Sequence, residues 1–230
     1  MASHTFYPMA GVIFDKAGNL YGTALGASAG GAVFQLTRPS VTGGVWTETD
    51  LYIFPLAGDE GFNPRASLIF DDAGNLYGTA TAGGDLECGD GESGCGTVFE
   101  LSPPSIPGGA WTETTIYVFT GLDGNYPWGR LVFDKQGNLY GTTAAGGNYF
   151  CASNDSGCGT VFELSPPSLQ GDPWTETTLY TFTGGDDGGF PVGGLVFGKL
   201  GALYGTAVQG GNLSCNPQMP GCGTVFAVLP

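Results

Sequence analysis

One twelve-residue phrase occurs four times in this chain: Val12-Ile-Phe-Asp-Lys-Ala-Gly-Asn-Leu-Tyr-Gly-Thr23, Leu68 to Thr79, Leu131 to Thr142 and, with more changes, Leu195 to Thr206. So regular a recurrence means that one supersecondary unit has been copied and stacked, each copy burying against its neighbours the apolar surface it cannot bury alone. The tyrosines of the phrase, Tyr21, Tyr77, Tyr140 and Tyr204, lie 56, 63 and 64 residues apart. The short first interval has a local origin: Gly22 to Val33 spans 11 positions, where Gly78 to Val98, Gly141 to Val161 and Gly205 to Val225 each span 20. The copies run approximately over 7–62, 63–125, 126–189 and 190–230, in one domain over 1–230.

Within a copy, four short apolar, β-branched and aromatic runs alternate with Gly, Pro and Asp, which predicts antiparallel strands; no stretch has helical periodicity. In the third copy the runs are Arg130 to Asp134, Asn138 to Thr143, Gly159 to Leu164 and Trp174 to Phe182. Gly137 supplies the positive φ of the first tight hairpin. The Pro-Pro segments after Ser102 and Ser165 cannot donate to a ladder and belong outside the sheet.

Four strands per copy and four copies predict an all-β β-propeller of four blades, each of four antiparallel strands. The fourth copy stops at Pro230 after its third strand, while Phe6 to Phe14 aligns with Gly189 to Phe197. Either the N-terminal segment Ala2 to Phe6 closes the last blade, or that blade keeps an open edge, a pairing template that favours an edge-strand-mediated homodimer over a monomer, or a longer parent protein.

Three phrases recur in order over nearly the whole chain: Phe-Asp-x-x-Gly-Asn-Leu-Tyr-Gly-Thr, Cys-Gly-Thr-Val-Phe-Glu-Leu and Trp-Thr-Glu-Thr-x-Leu-Tyr-x-Phe-Thr-Gly. Together they resemble the GloVer tandem repeat (choice-of-anchor) family, whose repeat is similar to those of sensor-type propellers. The resemblance implies a secreted or surface-anchored bacterial protein and assigns no catalytic residues.

Glycine is abundant, 43 of 230 residues, but periodic and interleaved with 41% hydrophobic residues, so disorder is not expected. Lys plus Arg number 6 against 21 Asp plus Glu, a formal net charge of −15. Such a surface repels nucleic-acid phosphates and anionic lipid. No apolar run approaches the ~20 residues that cross a bilayer as a helix.

The six cysteines pair off as Cys88 and Cys95, Cys151 and Cys158, Cys215 and Cys222, at one place in copies two, three and four. Copy one lacks both partners together with their loop, as a local disulfide requires. Zinc sites favour four ligands and tighter spacing, and the only histidine is His4. Three disulfides place the chain in an oxidising, extracellular or cell-surface setting.

A single histidine in the leader argues against Ser-His-Asp or Cys-His hydrolysis. Carboxylates recur as Asp15, Asp71 and Asp134 and as Glu48, Glu113 and Glu176. A residue present in every blade serves the blade, the aspartates in the hairpin turn and the glutamates on the solvent face of the outer strand. Trp46, Trp111 and Trp174 are read in the same way, as packing of the fourth strand.

Function is better sought where the copies differ. The quartets before the first strands are Pro8-Met-Ala-Gly11, Pro64-Arg-Ala-Ser67, Pro127-Trp-Gly-Arg130 and Pro191-Val-Gly-Gly194. They place Arg65, Arg130 and Trp128 near a channel mouth, where an aromatic platform beside guanidinium groups suits a sugar bearing a carboxylate or sulfate; the competing reading has Trp128 filling space. The preceding loops carry Asp59, Glu60, Asp123, Asp186 and Asp187, oxygen ligands of the kind Ca2+ takes, although solvated turn carboxylates are commoner. The loops bounded by cysteines vary, and Tyr149 and Phe150 are their apolar candidates for ligand contact. The sequence reading is a secreted carbohydrate-binding module with a glycan or cell-surface polysaccharide as partner and no obligatory cofactor. Its alternatives are a polysaccharide-degrading glycoside hydrolase or lyase using carboxylate or Tyr/Arg chemistry, and a structural surface repeat without a ligand.

Overall fold

The copied phrase folds as a hairpin locked by its own aspartate. In the computed structural model, which describes residues 6–26, 29–56, 58, 60–88, 93–151, 156–169, 171–215 and 221–230, Asp134 Oδ1 accepts from the amides of Gln136 and Asn138, and Oδ2 from Asn138 Nδ2 and the Tyr140 hydroxyl. Asp15 makes the same four bonds, and Asp71 repeats those to Asn75 and Tyr77. Burial alone pushes the Asp15 and Asp134 carboxyls up, but these donors outweigh it and hold both below the usual carboxylate range. The same pairing, with burial as the larger cause, pushes the Tyr21 hydroxyl up to about 12. The expected structural role of these aspartates is therefore what the geometry gives. In the fourth copy Gly198 and Ala202 replace the Asp and Asn, and Tyr204 has no such lock.

The described residues form four antiparallel sheets and no helix. Sheet 1 contains β1 (Phe6–Pro8), β2 (Ile13–Phe14), β3 (Leu20–Gly26), β4 (Ala32–Thr37) and β5 (Thr47–Ile53). Sheet 2 contains β6 (Gly61–Pro64), β7 (Ile69–Phe70), β8 (Leu76–Gly83), β9 (Thr97–Ser102) and β10 (Thr112–Val118), and sheet 3 β11 (Asn125–Pro127), β12 (Val132–Phe133), β13 (Leu139–Ala145), β14 (Thr160–Ser165) and β15 (Thr175–Thr181). Sheet 4 contains β16 (Val196–Phe197), β17 (Leu203–Ala207) and β18 (Thr224–Val228). In sheets 1 to 3 the expected first strand is a two-residue strand, and a further short strand ahead of it pairs with the same partner: β11 and β12 both lie along β13, which continues to β14 and β15.

Among the described residues, no part of the N-terminal segment pairs with the last sheet. Phe6 pairs with Gly26 and Pro8 with Ala24, so β1 is the first strand of sheet 1, and β18 pairs only with β17 among the described residues. Returning along β3 closes a short loop, whereas reaching β18 would close a loop of nearly the whole chain. The rest of the proposed leader, Ala2 to Thr5, lies outside the described residues.

Consecutive sheets pack face to face, and the core is three clusters, one at each interface. Between sheets 1 and 2, Tyr21, Val33 and Phe54 meet Leu68, Leu76, Phe99 and Leu101. The next two interfaces repeat this with Tyr77, Val98 and Phe119 against Leu131, Leu139, Phe162 and Leu164, and with Tyr140, Val161 and Phe182 against Leu195 and Leu203. The interlock is the same each time: Tyr21 meets Phe70 at 5.1 Å, Tyr77 meets Phe133 at 5.1 Å and Tyr140 meets Phe197 at 5.4 Å, all edge to face. Trp111 and Trp174 pack on the tyrosine of the preceding sheet, at 6.4 and 6.3 Å. Glycine in the Tyr-Gly-Thr phrase makes room for this core, since a Cβ on Gly141 would come within 2.5 Å of Phe162 Cζ.

The outer-strand glutamates divide according to neighbours. Glu48 is exposed as expected, but Glu113 and Glu176 are half-buried. Burial pushes the Glu113 carboxyl up to about 7, against a bond from Thr115 and with help from the charge of Glu60; burial likewise pushes Glu176 up.

Candidate functional site

Three residues that precede a proline line one cleft built from the second, third and fourth copies. Asn63, Tyr126 and Phe190 precede Pro64, Pro127 and Pro191, and have φ of 60°, 55° and 57°. They are the only non-glycine residues with positive φ among those described. A side-chain-bearing residue in this region costs about 1–2 kcal/mol, and a following proline further restricts its backbone. Each is held by its amide, which donates to the preceding repeat: Asn63 to the Gly30 carbonyl at 2.5 Å, Tyr126 to Cys95 at 3.1 Å and Phe190 to Cys158 at 2.9 Å. Thr81 Oγ1 donates to the Asn63 carbonyl at 3.0 Å.

All three strained residues line the same cleft, of about 320 Å3. Its walls are aromatic, from Phe62, Tyr126, Trp128 and Phe190, and its cation is Arg65. The Arg65 guanidinium carbon sits 4.8 Å from the centroid of the Trp128 ring, close enough for cation–π attraction. Trp128 in turn meets Phe190 edge to face at 6.4 Å. Ser93 and Ser156 reach the cleft from the cysteine-bounded loops, anchored where their carbonyls accept the Gly83 and Gly146 amides at 2.7 Å. Among the described residues no carboxylate lines it, on a chain of net charge −15.

The structure thus brings Arg65 and Trp128 together and separates the other candidates from them. Arg130 is exposed and lies over Gly194, outside the cleft lining. Tyr149 is half-buried with its hydroxyl over Gly121, beside the Cys88–Cys95 disulfide, while Phe150 is 98% exposed. Asn63, Tyr126 and Phe190 were missed by the sequence reading; their signal was the variable residue ahead of the shared proline.

The loop carboxylates bond their own loops. Glu60 accepts from the Tyr52 hydroxyl at 2.5 Å. Asp123 accepts from the Tyr117 hydroxyl and from the amide and hydroxyl of Thr120, and Asp187 from Tyr180 and Thr183 in the same manner. Against the upward push of burial, the Thr183 donors hold Asp187 below the ordinary carboxylate range. Asp186 is exposed, and Asp59 lies outside the described residues. Among the described residues no three His, Cys, Asp or Glu side chains gather as a metal site would require.

The three expected disulfides are present, Cys88–Cys95, Cys151–Cys158 and Cys215–Cys222, with Cα separations of 5.6, 5.8 and 6.1 Å. No helix among the described residues is long and apolar enough to cross a membrane.

The fold is similar to that of a luciferin-regenerating enzyme, with TM-score 0.54 and 15% identity, over 96% of this chain and 60% of that one. It is also similar to a Hadza microbial sialidase, Hz136, with TM-score 0.50 and 13% identity, over 96% of this chain and 44% of the sialidase. The chain therefore spans about three fifths or less of the length of either structure. Comparison with the curated proteins found no match. The Gloeobacter/Verrucomicrobia repeat matches residues 2–216, covering the four copies of the hairpin phrase, the first two disulfide loops and the cleft, and the chain belongs to that family.

Proposed function

We propose that the four sheets are blades of a propeller-type array and that the cleft between the second, third and fourth binds a carbohydrate carrying a carboxylate or sulfate. The observation that carries this reading is the stacked Arg65–Trp128 pair in an aromatic cleft. The indole face offers a platform for a sugar ring, and the guanidinium offers a fork of donors to a planar anion. Backbone strain concentrated at a cleft is a mark of functional sites, because the surrounding fold must hold it in place. The three disulfides suit an extracellular setting, where such glycans are met.

Paired-carboxylate hydrolysis would need two acids in the cleft, and the described lining residues supply none. Tyr126 and Arg65 line the same cleft, which keeps a lyase in view, with tyrosine as proton-transfer group and arginine facing the uronate carboxylate. The test is a glycan array probed with the oxidised protein and with Trp128→Ala and Arg65→Ala. Selective binding to anionic glycans, lost in both variants at unchanged melting temperature, supports the reading. Neutral-glycan binding, or binding indifferent to both changes, defeats it, and no binding at all leaves a structural repeat as the better account. Appearance of unsaturated sugar ends from bound uronate polymers would move the assignment from binding to lyase.

A further inference from the structure

The two terminal sheets expose opposite halves of the interface that the chain makes three times internally. At each internal joint the tyrosine of one sheet packs against the phenylalanine of the next, and the tyrosine is buried: Tyr21, Tyr77 and Tyr140 are 6%, 6% and 3% exposed. Tyr204, at the same position of sheet 4, is 44% exposed. Around it the same face presents Val196, Val208 and Val225, all exposed, where the equivalents Ile69 and Val98 of sheet 2 are buried. The other half lies on sheet 1: Phe14 is exposed where Phe70, Phe133 and Phe197 meet a tyrosine, and Val12 is exposed where Leu68, Leu131 and Leu195 are buried. Trp46 is likewise exposed, whereas Trp111 and Trp174 cover a tyrosine of the preceding sheet.

We propose that the exposed face of sheet 4 receives the exposed face of sheet 1 of a second copy of this chain, Tyr204 seating on the partner's Phe14 as Tyr140 seats on Phe197. The occupant follows from the joints within the chain: what covers a Tyr face each time is a Phe face of the same repeat, and sheet 1 presents the unused one. Contact is face to face rather than through the β18 edge, and it is heterologous, so copies close into a ring or extend as a stack. With net charge −15 on each copy, mutual repulsion opposes it, and added salt tightens it.

Sedimentation velocity at high salt over a range of concentrations tests this with Phe14→Asp and Tyr204→Asp. The wild type is expected to associate and each variant to remain monomeric with a wild-type melting temperature. An equimolar mixture of the two variants is expected to form a 1:1 dimer and nothing larger, because each variant retains the half the other lacks. Val225→Glu repeats the sheet 4 arm at a position 78% exposed, should Tyr204→Asp disturb the fold. A monomeric wild type at the highest soluble concentration overturns the proposal. So does association that persists in both variants, or a mixture that stays monomeric.

Discussion

The backbone amide of Tyr126 donates to the carbonyl of Cys95 across 3.1 Å, so the cleft wall in repeat 3 is tied to the disulfide of repeat 2. Replacing Cys88 and Cys95 by alanine is expected to cost about 2–3 kcal/mol from the short loop released. It is also expected to speed hydrogen exchange at the Tyr126 amide while leaving Phe190, held by Cys158, protected. The Cys215→Ala, Cys222→Ala pair serves as the comparison: a loss of melting temperature without faster exchange at Tyr126. Equal exchange at Tyr126 in both double variants would show that the disulfide does not hold the wall.

Strain at Tyr126 can be separated from the loss of its ring. Tyr126→Ala and Tyr126→Gly remove the same aromatic group, but only glycine adopts φ near 55° without steric cost. The glycine variant is expected to be the more stable by about 1 kcal/mol, roughly 2–4 °C in melting temperature for a domain of this size. Equal melting temperatures would mean that the position stores no strain.

Glu113 sets a pH dependence whose sign is fixed. Its carboxyl is raised to about 7 in the fold, by burial first and by Glu60 in addition, from an ordinary value of 4.5. The folded state therefore holds this proton more tightly than the unfolded one, and the stability it contributes, fully present below about pH 4.5, is lost as pH rises through about 7. Glu113→Gln is expected to match the wild type near pH 4 and to melt above it at pH 8, the gap opening between the two values. Thermal melts across that range decide it, and a gap independent of pH would exclude the assignment.

Position within the array should set the cost of truncating the repeated tyrosine. Tyr140→Ala removes a ring packed on Phe197 and a hydroxyl bonded to Asp134, and is expected to cost about 3–5 kcal/mol. Tyr204→Ala, measured in low salt on the monomer, is expected to cost about 1–2 kcal/mol, less than Tyr140→Ala, since nearly half of its surface is already in water. Comparable losses of melting temperature would mean that the sheet 4 face is covered.

The sequence carried the repeat period, the strands, the hairpin turns and the disulfides, because each is written in residue type at fixed spacing: Asp134, Gly137 and Asn138 can hardly serve anything but a turn. The destination of the first strand was less legible. Phe6 to Pro8 has the same local pattern whether it pairs with β3 or with β18, and only loop length separates the two. Arg65 and Trp128 stood out because the quartets differ there, yet Tyr126 and Phe190 did not. Positive φ is legible in glycine and sometimes in asparagine, as at Asn63, but a tyrosine held there by a neighbour's carbonyl leaves no mark in its own residue type. The solvent face assigned to Glu113 failed for a related reason, since the preceding sheet that covers it is a tertiary neighbour.

The cleft has no home repeat. Asn63 and Arg65 arrive from the second, Tyr126 and Trp128 from the third and Phe190 from the fourth, and the amides of Asn63, Tyr126 and Phe190 each rest on a carbonyl supplied one repeat earlier. An excised repeat would carry the same letters and form no cleft. Duplicating or deleting a whole repeat would rewrite the clefts on either side of the cut while leaving every sheet intact, so in a protein built this way a cleft is inherited with the joint that forms it.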